Sequence, residues 1–111
     1  MKVIVTTVLT AFTGTPHKDF VDGRTTENDL TLKTAIVNSL TAIYNDEKPN
    51  GEESFKRGQL AHRVYKTEYE LDLTAENITD IKRLIGKYYG PAIVFAAWTI
   101  LEGGTEKPKE R

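Results

Sequence analysis

Residues 67–73 alternate without a break: Tyr69, Leu71 and Leu73 against Glu68, Glu70 and Asp72. A period of two fixes a strand with one face in the core and one acidic face in water. Leu71 is therefore expected to be buried and Glu70 exposed. The strand hands over at once to a helix. With Thr74 as N-cap, Leu73 and Ile78 take the spacing of a hydrophobic staple. Ile78, Ile81, Leu84, Ile85 and Tyr88 then recur at helical spacing.

The chain opens on a second strand signal. Residues 3–12 are rich in Val, Ile and Thr, with Val3, Val5, Leu9 and Ala11 on one face and Ile4, Val8 and Phe12 on the other. Although its start resembles a signal peptide in outline, Thr6 and Thr7 interrupt the apolar stretch and one Lys is its positive region, so a strand is expected. Thr13-Gly14-Thr15-Pro16 turns the chain into a return strand over 17–21, anchored by Phe20 or Val21. Asp22-Gly23 is a further turn, and 24–29 reads as polar loop.

Thr31 caps a first helix with Leu32, Ala35, Ile36, Leu40, Ile43 and Tyr44 on its buried face. Asn50 and Glu53 form a capping box for a second, reaching Lys66, with Phe55, Leu60, Ala61, Val64 and Tyr65 expected inward. Gly90-Pro91 closes the third helix, with Gly90 as C-cap, and starts a fourth. Residues 92–101 are apolar almost all round, which places that helix at the centre of the fold. Gly103-Gly104 stops it, and 104–111 is a charged tail expected to be disordered. The reading is one α+β domain over 1–103, a small antiparallel sheet packed against about four helices in the order β-β-α-α-β-α-α.

The 111 residues hold 15 Lys and Arg, 16 Asp and Glu, and no Cys. That excludes a disulfide framework, a zinc knuckle and a thiolate nucleophile. A net charge of −1 removes a global basic field for nucleic acid or membrane. The longest apolar run, 91–101, is far short of the ~20 residues that span a bilayer.

Chemistry-bearing residues are few. His17 and His62 share no metal-ligand spacing. Glu68, Glu70 and Asp72 form an acidic strand stripe, read as a solvated edge. Lys56, Arg63 and Lys66 share one helical face, and Lys82, Arg83 and Lys87 crowd the end of the third helix; these six are the candidate basic surface. Gly86-Lys87-Tyr88-Tyr89-Gly90 lacks the strand and the Lys-Ser/Thr element of a phosphate loop. Gly86 is expected to allow a close helix. Tyr88, Tyr89, Phe95 and Trp98 are the candidate interaction surface: Tyr88 and Tyr89 beside Lys87 can stack on bases or bind a partner, and the all-round apolar helix that carries Phe95 and Trp98 calls, in so small a domain, for cover from another chain. A homo-oligomer, most simply a dimer through the last helix, is expected. No catalytic residue, metal site or cofactor is assigned.

Leu30-Thr31-Leu32-Lys33, Gly51-Glu52-Glu53 with Lys56-Arg57, residues 71–76, residues 81–87 and Leu101-Glu102-Gly103 together resemble a group of small proteins encoded by tailed bacteriophages and prophages. The resemblance covers nearly the whole chain outside its last eight residues and carries no catalytic residues. It implies a phage origin, a bacterial host cytoplasm or the virion as location, and a non-enzymatic role. The expected function is protein–protein interaction with a host factor or phage machinery. A head or tail assembly accessory and a nucleic-acid-binding regulator are the alternatives.

Overall fold

The computed structural model describes residues 1–21 and 24–103. The Asp22-Gly23 turn, the side chains of Phe20 and Val21, and the 104–111 tail lie outside what it describes.

Of the alternating residues 67–73 only Glu70–Asp72 form a strand, β4, paired antiparallel with β1 (Lys2–Ile4), Val3 standing opposite Leu71; Tyr69, expected on the buried face, lies before the strand and is 62% exposed. Leu71 and Leu73 are buried, while Glu70 and Asp72 face water. The opening strand is shorter than expected. Thr7 turns its hydroxyl and its amide onto the Ile4 carbonyl, at 2.7 and 3.1 Å. A threonine that takes up a local backbone carbonyl competes with a sheet ladder in this way. Val5 still donates to Tyr69, but from there the chain changes partner: Lys33 donates to Val5, Leu32 to Thr7 and Leu9 to Leu30. Only isolated bridges, Val8 with Thr31 and Thr10 with Pro16, continue the strand. Its odd face holds nevertheless, with Val3, Val5 and Leu9 in the core.

Two strands follow, β2 (Lys18–Val21) and β3 (Arg24–Asp29), paired antiparallel with an irregularity between Lys18 and Phe20. The second corrects the polar loop expected over 24–29, and adds a strand to the expected order. Five of its six residues are exposed, so no apolar alternation marks it. Among the described residues the antiparallel structure is thus two two-stranded sheets, β1–β4 and β2–β3.

The helices are α1 (Leu32–Thr41), α2 (Gly51–Lys66), α3 (Ala75–Tyr88) and α4 (Pro91–Gly103). The caps stand where the sequence places them. Thr31 accepts from Thr34, and capping boxes form at Asn50 with Glu53 and at Thr74 with Asn77. Gly90 departs from its expected role. Tyr89 is the C-cap of α3, and Gly90 instead accepts from Val94 at the start of α4.

The central helix is α1, not α4. It packs against both α2 and α3 and buries Leu32, Ala35, Ile36, Ser39 and Leu40. α4 lies chiefly on α3 and buries only Ala97 and Leu101. Ile93, Val94, Trp98 and Ile100 are only partly buried against the core, so α4 covers it from one side. α1 also stops short of its expected end: Ala42 is extended, which leaves Ile43 95% exposed. In α2, Ala61 and Val64 are buried and Leu60 is half-buried, but Phe55 and Tyr65 point outward. Nine residues at ~100° each put Phe55 on the opposite side of the helix from Val64, which is why it leaves the core.

Candidate interaction surface

The four aromatic residues singled out from sequence go to different places. Tyr89 is half-buried, and its hydroxyl accepts from Asn38 on α1 at 3.2 Å. Burial pushes its pKa up to about 12. Tyr88 meets the Tyr89 ring edge-on at 4.8 Å and remains 47% exposed. Trp98 is drawn onto α3. Its Nε1–H donates to the Lys82 carbonyl at 3.0 Å, and the Lys82 ammonium stands 4.7 Å from the ring centre. Lys82 also pairs with Glu102 at 2.7 Å, closing the α3–α4 contact. A Cβ on Gly86 would sit 3.5 Å from Trp98, an ordinary contact, so the close helix expected at Gly86 is α4 of the same chain.

Phe95 is the exception. It sits opposite the buried Ala97–Leu101 side of α4 and is 59% exposed. Its neighbour is Phe12, 76% exposed, with ring centres 5.4 Å apart and planes inclined at 55°. Phe12 sits in the turn around Gly14, whose φ of +91° is one that glycine adopts readily. Ala11 donates to Thr15, and Gly14 donates to Ala11. The turn thus holds one aromatic ring beside another on a distant element, both largely in water. The sequence places Phe12 at the end of a strand face, just before the Thr13-Gly14-Thr15-Pro16 turn; in the structure Phe12 belongs to that turn.

The basic candidates divide by helix. On α3 all three cations are taken up by carboxylates. Lys82 holds Glu102, Arg83 holds Glu47 at 2.6 Å, and Lys87 holds Asp46 and Glu47. On α2, Arg63 donates to the Asp72 carbonyl, whereas Lys56 and Lys66 are exposed. A cleft of about 560 Å³ separates α2 from α3, with Leu40 and Leu60 among its apolar lining. Lys56, Arg57 and Arg63 line its α2 side, and Glu76, Asp80 and Arg83 its α3 side.

Glu47, which sequence reading passed over, is the hub of this charge network. It lies in the connection between α1 and α2, and Arg57 holds it from α2 at 2.6 Å. Hydrogen bonds from Lys87 first, then Arg57 and Arg83, hold its carboxyl well below the usual carboxylate range, at about 2. Lys87 is raised in turn, chiefly by Asp46 and then Glu47. The connection is anchored through Tyr44, whose hydroxyl donates to the carbonyls of Ser39 and Leu84 at 2.7 and 3.3 Å.

His17 and His62 stand apart. His62 is exposed on α2, and the Nε2 of His17 is buried without a hydrogen-bond partner. Among the described residues no group of three or more His, Asp or Glu side chains is placed to hold a metal ion. No helix among them is long and apolar enough to cross a membrane. Comparison with family models, with curated proteins and with solved structures gave no match.

Proposed function

We propose that this chain is a phage- or prophage-encoded, non-enzymatic protein that acts by protein–protein contact in the bacterial host cytoplasm, on a host factor or on phage machinery. The observation that carries the reading is the Phe12–Phe95 pair, two large rings set side by side in solvent. Aromatic side chains are the favoured anchors of protein interfaces. An exposed apolar patch on a small soluble domain is most simply explained by a partner that covers it. The first partner is a second copy, through the face of α4 that carries Phe95. Trp98 is engaged within the α3–α4 pair, while Tyr88 leaves about half of its ring exposed near it.

The nucleic-acid alternative draws no support from the net charge of −1, which supplies no global basic field. Affinity purification from infected host cells tests the reading, with the wild-type chain and Phe95→Ser as baits. Proteins held by the wild type and lost with the variant are expected. Identical captures by both baits would overturn the role of this face.

A further inference from the structure

Three cations from two helices converge on one loop carboxylate: Arg57 of α2 with Arg83 and Lys87 of α3. What surrounds Glu47 is as informative as what holds it. Beside it lies a second cleft, of about 300 Å³, lined by Leu40, Tyr44, Pro49 and Gly58 among others. Leu40 and Arg57 line this cleft and the larger one between α2 and α3 alike, and Glu47 lines the smaller beside Arg57. The first two turns of α2, up to Lys56, are exposed throughout, and the helix buries a side chain only from Ala61 onward.

We propose that Arg57, Arg83 and Lys87 form a carboxylate-binding site for an acidic segment of a protein partner, which Glu47 fills in the free chain. This rests on the reading of the chain as a protein-contact protein, and it names the chemistry of a partner. The molecule itself shows what the site takes, a carboxylate carried on a non-helical connection. Guanidinium groups suit that ligand, since their planar donors match carboxylate geometry. Around the site Lys56, Arg57, Arg63, Arg83 and Lys87 are balanced by Asp46, Glu47, Glu53, Glu76 and Asp80, so a positive surplus appears when Glu47 leaves it. Lys56 and Arg63 extend it along the α2 side of the larger cleft, while Glu53 there is already committed to the amide of Asn50. Glu76 and Asp80 on the other side orient the segment, with its acidic residues toward α2. Leu40 and Leu60 receive an apolar side chain between them.

A carboxylate tethered by a short connection competes at an effective concentration on the order of millimolar. Removing it therefore exposes the site. The test is fluorescence anisotropy with fluorescein-labelled hexaglutamate and the full chain. Glu47→Gln is expected to bind at least about tenfold more tightly than wild type. Adding Arg57→Gln or Arg83→Gln to that variant should return the affinity to the wild-type level. Equal binding by wild type and Glu47→Gln would overturn the proposal. So would a gain for inorganic phosphate with none for the peptide. Should Glu47→Gln not fold, side-chain NMR of the wild type decides. Hexaglutamate must shift the Arg57 and Arg83 signals, and shifts confined to Lys56 and Lys66 would sink the site. Phe95→Ser should bind hexaglutamate as the wild type does, so failure of the Phe95 face and failure of this site are read separately.

Discussion

Arg57 reaches out of α2 and donates to Glu47 at 2.6 Å, joining a helix whose first two turns are exposed to the connection that precedes it. Glu47 also receives Arg83 and Lys87, so this one carboxylate ties α2, α3 and the α1–α2 connection together.

The pH dependence follows from the depressed carboxyl. Its ordinary value of 4.5 falls to about 2 in the folded chain. A depressed carboxylate stabilises the fold at pH above its unfolded value, and that stability is lost as pH falls toward the folded one. Glu47→Gln should therefore melt at a lower temperature than wild type at pH 7. The gap should close progressively between about pH 4.5 and pH 2. A gap that persists unchanged at pH 2 would show that the charge of Glu47 is not what stabilises.

The β4 strand gives a second outcome. Leu71 is 7% exposed against Val3, while Glu70 beside it faces water. Leu71→Ala should cost about 2–4 kcal/mol, as truncations of buried leucines do. Glu70→Ala should stay within about 0.5 kcal/mol of wild type. Urea unfolding of both variants checks this, and equal losses would contradict the assignment of faces.

Tyr44 supplies a third. Its hydroxyl bridges the end of α1 to α3, and burial, the largest cause, raises its pKa. Tyr44→Phe keeps the ring and removes the bridge, so a loss of about 1 kcal/mol is expected. Chemical denaturation at neutral pH measures it, and an unchanged midpoint would mean that the bridge contributes nothing.

Much of the fold was legible because its signals are local. Thr31, Asn50 and Thr74 announce their helices through side chains that satisfy nearby amides, and the parity of Glu70, Leu71 and Asp72 announces the faces of β4. The parts that escaped depend on what lies across the fold. β3 is a polar hairpin strand with no buried face to impose an alternation. Phe55 and Tyr65 are apolar but sit at angles on α2 that point away from α1. α4 looked central because it is apolar all round, yet α1 has neighbours on both sides and takes the middle. The candidate surface was legible only in part: Phe95 stands exposed, but its partner Phe12 comes from a turn 83 positions earlier in the sequence. Glu47 offered no signal, since a lone acid in a polar connection reveals nothing of the three cations folded around it.

The central claim is that the Phe12–Phe95 face is a protein-contact surface and that a second copy covers it. Multi-angle light scattering over a wide concentration range tests it most directly, on wild type and Phe95→Ser. A mass near twice 12.5 kDa is expected for the wild type at tens of micromolar and a monomer for the variant. A wild type that stays at 12.5 kDa throughout would contradict self-association through this face.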